Sequence, residues 1–278
     1  MKIHTLLLSI GLVVSSLAAH ADEKLLTIGG SVTEIVYALG KGDLVIANDI
    51  TSNYPEAAAN KPKIGYMRTL SAEGLISTGA TLVIAEAGAG PRNVLEQVNR
   101  AGLKVLQLQD NTHTPQQIAA DIRIIGKQLN AESTEQVARD FEHAWQAADA
   151  KLNSLPDRPR VLFVMNNAGR GAQVAGDETA AAAVIKLARA DNVMANQYKD
   201  YRPLTAEALV AAAPDVIITT SEGLEASGGL QNFLKTPGIS MTPAGKNQRI
   251  ISMDTQYLLG FTPRLPAAAM ELGQAIRK

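Results

Sequence analysis

Residues 130–155 read NAESTEQVARDFEHAWQAADAKLNSL, and this stretch decides how the rest of the chain is arranged. Its apolar positions Val137, Phe141, Ala144, Ala148 and Leu152 recur at spacings of three and four. That spacing predicts one amphipathic helix of about six to seven turns, ending before Pro156. At 1.5 Å per residue it would span roughly 35–40 Å, the width of a lobe. His143 stands roughly 200° around from Phe141 at 100° per residue and should face solvent. No strand follows the helix within a short loop, so it reads as a rigid strut between two halves.

Upstream, short apolar runs alternate with helical patterns. Strands are predicted at Leu25–Ile28, Leu44–Ala47, Thr81–Ala85 and Leu103–Leu108, with helices at Val32–Leu39, Ser71–Ser77, Pro91–Ala101 and Pro115–Leu129. Ser31 and Glu34 fit a capping box at the first helix. The free N–H groups of such a helix start can hold an anion. Residues 49–65 form a long polar loop with Pro55 and Pro62. Downstream the alternation resumes. Strands are predicted at Arg160–Met165, Asp215–Thr220 and Arg249–Ser252, with helices at Glu178–Ala188, Ala206–Ala213, Leu230–Leu234 and Leu265–Ile276. A glycine-rich loop is expected at 166–176 and a polar loop at 222–229. Such alternation predicts mostly parallel sheets covered on both faces. The fold class is therefore α/β: two α/β lobes (22–129 and 157–278) joined by one long rigid helix (130–156), with a ligand cleft between them.

An internal echo supports two lobes of one plan. Leu70-Ser-Ala-Glu-Gly-Leu75 matches Leu204-Thr-Ala-Glu-Ala-Leu209, and each precedes a strand. Glu73 and Glu207 then occupy equivalent points. In α/β sheets, ligands bind beyond the carboxyl ends of strands.

Composition narrows the chemistry. Lys2, the apolar run Leu6–Leu17 and Ala19-His20-Ala21 read as a signal peptide, residues 1–21, cleaved after Ala21. The chain is then exported. Its formal net charge of −1 argues against a nucleic-acid partner. It has no cysteine, which excludes disulfides, thiolate chemistry and Fe–S clusters. Two of its four histidines, His4 and His20, lie in the leader, leaving His113 and His143. Phosphate-loop, HExxH and GxSxG patterns are absent. Gly88-Ala-Gly90 lacks the third glycine of a dinucleotide fingerprint, because Asn93 stands there. An α/β enzyme working in the cleft is the alternative of another class, but the residues favour ligand capture and no enzyme activity.

The segment with the most chemistry is Lys63-Ile-Gly-Tyr-Met-Arg-Thr-Leu-Ser-Ala-Glu-Gly-Leu75. In extended chain Tyr66 and Arg68 face one space, with Met67 turned away. A guanidinium favours the phenolate, and a tyrosine oxygen is one of the axial ligands of haem iron. Tyr66 is thus a candidate ligand to ferric haem iron, with Arg68 in support. The same residues also fit a surface tyrosine beside a salt-bridged arginine.

Ile28-Gly-Gly-Ser-Val-Thr-Glu-Ile35, Gly65-Tyr-Met-Arg68, Leu70-Ser-Ala-Glu73, Gly88-Ala-Gly-Pro91, Thr242-Pro-Ala-Gly245 and Leu258-Leu-Gly-Phe-Thr-Pro-Arg264 together give the mature chain a family likeness along nearly its whole length. It resembles the periplasmic haem-binding proteins of bacterial haem ABC transporters. These are a branch of the substrate-binding proteins with a helical strut, shared with cobalamin and ferric-siderophore binders. The resemblance implies that Tyr66 is the axial (metal) ligand with Arg68 beside it. It implies that ferric haem b is the transported ligand, and that Glu73 and Glu207 dock onto an inner-membrane ABC permease. We add Arg170 as an expected partner of a haem propionate. Some members carry a histidine in the loop after the first strand of the second lobe. Here that loop reads Asn166-Asn167-Ala-Gly-Arg170, so one five-coordinate haem is expected, with His113 the remaining histidine near the cleft. Ferric-siderophore or cobalamin binding on the same fold is the nearer alternative.

Overall fold

The structure is a computed structural model and describes residues 23–109, 112–167, 171–203 and 205–278. The expected signal peptide lies outside the described residues. The first lobe holds a sheet of β1 (Leu25–Ile28), β2 (Val45–Asn48), β3 (Leu82–Ala85) and β4 (Lys104–Gln107). Their order is β2-β1-β3-β4, all parallel. The second lobe holds β5 (Arg160–Asn167), β6 (Gly171–Ala175), β7 (Asp191–Asn192), β8 (Tyr201–Pro203), β9 (Val216–Thr220) and β10 (Ile250–Met253). Their order is β10-β9-β5-β6-β8, with β7 also on β5. β1, β3 and β9 are buried along their full length, which is why they read as unbroken apolar runs rather than alternating ones.

Two expectations for the second lobe fail. The glycine-rich loop expected at 166–176 is mostly strand: β5 runs on to Asn167 and pairs antiparallel with β6, which pairs antiparallel with β8. The sheet is therefore mixed. The polar loop expected at 222–229 is largely the helix Ser221–Ala226. The Thr220 hydroxyl caps it by accepting from the Gly223 N–H at 3.0 Å. The polar composition there belongs to an exposed helix face, which a loop reading mistakes for a turn.

The connecting helix spans Thr134–Asn153, 20 residues or about 30 Å. It is shorter than expected because Asn130, at φ 47°, ends the preceding helix Pro115–Gln128 in the left-handed region. Its inward stripe is Ala138, Phe141, Trp145, Ala148 and Leu152. Ala144 is exposed, so the expected stripe was one position off in its middle; His143 faces solvent as expected. The helix packs on Pro115–Gln128 of one lobe and on the terminal helix Leu265–Ala275 of the other. Both contacts leave little room for a side chain. A Cβ on Gly126 would sit 2.2 Å from Thr134 Oγ1, and one on Gly273 would sit 2.5 Å from Leu152 Cδ2. A single apolar cluster continues from Ile35 and Ile84 through Phe141 to Phe163, Ile218 and Leu272, so the lobes share a core behind the cleft.

Gly273→Val should therefore lift the terminal helix off the strut. A lower urea midpoint is expected, corresponding to about 1–3 kcal/mol, the usual cost of overpacking. An unchanged midpoint would show that this contact yields freely.

Candidate functional site

The carboxyl ends of β1, β2 and β3 deliver Gly29, Asp49 and Glu86 to one floor. Gly29, at φ 104°, donates its N–H to Asp49 Oδ1 at 2.9 Å, and the Ser31 N–H donates to Glu86 Oε1 at 2.9 Å. The capping box expected from Ser31 and Glu34 does not form. The helix is Gly30–Ala38 with Gly29 as its N-cap, and two carboxylates from neighbouring strands already satisfy its first N–H groups. Glu86 packs so tightly that a Cβ on Gly29 would fall 2.3 Å from its carboxyl carbon. Burial, aided by the charge of Asp49, pushes its carboxyl up to about 7.

From this floor the long loop carries Tyr66, and it is pinned at many points. Asp49 accepts from Thr51 N–H, the Thr51 hydroxyl and the Ser52 hydroxyl at 2.7–3.0 Å. Lys63 Nζ donates to Asn48 Oδ1 at 2.8 Å and to the Ser52 carbonyl at 2.7 Å. The Ile50 N–H donates to the Gly65 carbonyl at 3.0 Å, tying the start of the loop to the residue before the tyrosine. Gly65 takes φ 96°, open to glycine alone at low cost. A turn then closes from Tyr66 to Thr69, and the Gly90 N–H donates to the Met67 carbonyl at 2.9 Å. Met67 is 7 % exposed, packed in the core, while Tyr66 is 41 % exposed and Arg68 is also outward. The expected division of these three side chains holds, although a turn rather than extended chain produces it.

Arg68 lies against Gly88, where a Cβ would come 3.6 Å from its guanidinium nitrogen. Its charge acts on Glu86, on His113 and on Tyr201 of the other lobe. His113 is held below the usual imidazole range, first by burial and then by Arg68. Burial pushes the Tyr201 phenol up to about 12, against the opposing pull of its hydrogen bonds with Ala181 and Thr179 and of the Arg68 charge, so it stays protonated. Beyond the carboxyl ends of β5, β9 and β10 lies a recess of about 240 Å³ lined by Met165, Asn166, Thr220, Glu222 and Thr255. Arg170 lies outside the described residues.

Four contributors escaped the sequence reading. Ile50, 49 % exposed, and Tyr54 sit on the same loop as Tyr66. Phe261 meets His113 edge to face, with centroids 5.1 Å apart. Glu34, 3 % exposed at its side chain, pairs with Arg264 across the lobes at 2.6 Å. A signal for the last was present, because a carboxylate within the buried run Val32–Val36 demands a partner. Its partner, 230 residues away in sequence, had no local signature.

A family model described as "Periplasmic binding protein" matches residues 26–257. The chain belongs to that family. Among solved structures it is similar to the periplasmic heme-binding protein BhuT in complex with two hemes. The TM-score is 0.85 and identity 41 %, over 91 % of this chain and 97 % of that one. It is also similar to apo RhuT, a periplasmic heme-binding protein from Roseiflexus sp. RS-1 (TM-score 0.88, 36 % identity, 91 % and 97 % covered). A vitamin B12-binding protein of Vibrio parahaemolyticus is 25 % identical over 92 % of this chain and 90 % of its own. In this periplasmic binding protein Glu73 and Glu207 are both exposed, each in the first turn of a short helix. Ser71 Oγ accepts from the Gly74 N–H at 3.1 Å, and Thr205 Oγ1 from the Ala208 N–H at 3.2 Å. The lobes thus present the two acids on the same local frame. Among the described residues no helix is long and apolar enough to cross a membrane.

Glu86 gives a pH test of the floor. Its carboxyl titrates at about 7 in the fold against an ordinary 4.5. Between those values the folded chain holds a proton that the unfolded chain has lost. Its contribution is thus most favourable below 4.5 and declines as pH rises to 7. Glu86→Gln keeps the acceptor for Ser31 and removes this decline. In urea unfolding the variant should gain on the natural protein from pH 5 to pH 8, by no more than about 3 kcal/mol. A constant difference across that range would show that Glu86 titrates normally.

Proposed function

We propose that this protein captures ferric haem b in the periplasm and delivers it to an inner-membrane ABC importer. The observation that carries the reading is an exposed phenol, Tyr66, on a loop tied down by hydrogen bonds to Asn48, Ser52 and Gly65, with exposed Ile50 on the same loop and Arg68 two residues on. That set matches the ligand's chemistry. A phenolate is an anionic oxygen donor for oxidised iron, Ile50 and Tyr54 offer apolar surface to a porphyrin face, and a guanidinium suits a carboxylate or a phenolate. The resemblance to heme-binding structures at 41 % and 36 % identity supports the same ligand. The export-signal reading and the family together support the periplasm.

Tyr66 is the iron ligand in this reading, Arg68 supports it, and Arg170 is the further cation for a propionate. The second reading is cobalamin or a ferric siderophore on the same fold, and the vitamin B12-binding relatives support its cobalamin form. A siderophore already fills the coordination of its iron with oxygen, which would leave Tyr66 without a task.

Hemin titrated into the purified apo-protein should give a Soret shift and a ferric phenolate charge-transfer band at one haem per chain. Tyr66→Ala should abolish that band and weaken binding by at least about 100-fold, the upper range for losing a mere supporting group of a metal site. Cobalamin binding in place of haem, or an unchanged spectrum in the variant, would overturn the assignment. Glu73 and Glu207, one on each lobe, are the proposed docking acids. Such rim charges act mainly on encounter rate and orientation. Replacing both with alanine should depress uptake through the importer and leave the haem titration untouched; a weakened titration would refute the division of roles.

A further inference from the structure

The lobes meet a second time, in front of the strut. Glu34 Oε2 accepts from Arg264 Nε at 2.8 Å, and Glu34 Oε1 accepts from Arg264 Nη2 at 2.6 Å and from Gln256 Nε2 at 2.8 Å. Gln256 Oε1 in turn accepts from the Asn53 N–H at 3.1 Å, on the Tyr66 loop. Gly30 makes room for this amide, since a Cβ there would lie 2.4 Å from Gln256 Nε2. The Arg264 guanidinium sits 3.9 Å from the ring centroid of Tyr54, on the first lobe, and 4.9 Å from that of Tyr257, on the second. Three residues before Arg264, Phe261 meets His113 edge to face. Both rings stand on non-glycine residues in the left-handed region, Phe261 at φ 48° and His113 at φ 50°. Such backbone costs energy and persists where surrounding packing over-determines it.

The strut and the apolar cluster around it hold the lobes along one side only, and resist twist about that side least. A bidentate ion pair on the other side, its carboxylate buried and its guanidinium partly so, opposes the twist, because its geometry is narrow and losing it would strand the carboxylate. We propose that the segment Gln256–Arg264 is a second inter-lobe joint, and that Glu34, Gln256, Arg264 and Phe261 are positioning residues that fix the haem slot before ligand arrives. The inference rests on the haem reading for its cargo. Its mechanical half stands on the contacts alone. The joint reaches the site by two routes, through Asn53 and Tyr54 to the Tyr66 loop and through His113 to the surroundings of Arg68.

The absence of cysteine allows Gln97→Cys and Lys235→Cys to carry one spin label on each lobe. Pulsed dipolar spectroscopy on this pair should give a narrow inter-lobe distance that haem leaves unchanged. Adding Arg264→Lys, which keeps the charge and loses the bidentate fork, should broaden it. Gln256→Ala, which leaves the ion pair in place, should broaden it less and carries the test if the lysine variant does not fold. Haem loss to excess apomyoglobin should quicken by about tenfold, the range for a supporting partner of a metal site, with the ferric phenolate band of the bound form preserved. A merely structural role would lower stability without moving distance width or haem loss. Distances that stay narrow in both variants, or that broaden without faster haem loss, overturn the proposal. Failure of the labelled parent to bind haem would instead defeat the haem reading, with the distances still deciding whether the joint exists.

Discussion

A carboxylate taken out of water inside a helix must be answered by a cation or it will not stay ionised. Glu34 is such a group, and its answer comes from the far end of the chain. Burial raises its pKa while Arg264 acts in the opposite direction, by hydrogen bond and by charge. The helix that carries Glu34 follows β1, and its start is held by Asp49 and Glu86 from the ends of β2 and β3. The lobe contact and the cleft floor are therefore one polar system in which each acid has a definite donor. That system needs the lobes in one relation to each other, and the common apolar cluster behind it needs the same relation.

The Tyr66 loop shows how a rigid frame lets a reactive side chain remain exposed. Its backbone and polar side chains spend their hydrogen bonds inward, on Asn48, Asp49, Ser52 and Gly65. Met67 anchors it in the core. The phenol itself is left out of that network and keeps its surface for a ligand. A ligand meeting such a loop has little chain to order, so less of the interaction energy is lost to conformational entropy. Arg68, laid along Gly88, brings its charge to the same place without a large rearrangement.

How much of this the sequence disclosed depends on the range of the interaction. Strands buried on both faces announced themselves through runs such as Leu82-Val-Ile-Ala85, and the strut through its three-and-four spacing. The Tyr66, Met67, Arg68 division was legible because one buried residue between two outward ones is a local pattern. Ser31 and Glu34 misled for the same reason: they satisfy a local capping rule, but tertiary partners outbid it when Glu86 took the Ser31 N–H and Arg264 took Glu34. The hairpin of β5 and β6 was hidden because glycine marks a turn and a flexible strand alike. The motifs containing Glu34 and Arg264 were noticed separately, and only the fold brings them into contact.

The same joint bears on both ends of the proposed transport cycle. Tyr66 hangs from the first lobe, while Tyr201, which feels the charge of Arg68, and the recess beside β9 belong to the second. Glu73 and Glu207 are likewise divided, one to each lobe, on matching helix starts. The width of the proposed slot and the separation of the proposed docking acids are then tied to one inter-lobe geometry. A permease that engages both acids at their resting separation gains steering and orientation without disturbing the cargo. One that requires a different separation must work against the Glu34–Arg264 contact, and any strain it applies is transmitted to the slot. Coupling of this kind requires differential contacts in two lobe arrangements, and a stiff joint converts a small difference in docking distance into a large difference in hold on the haem. Rigidity in the free protein is thus compatible with release at the membrane, provided the force that opens the slot comes from the partner.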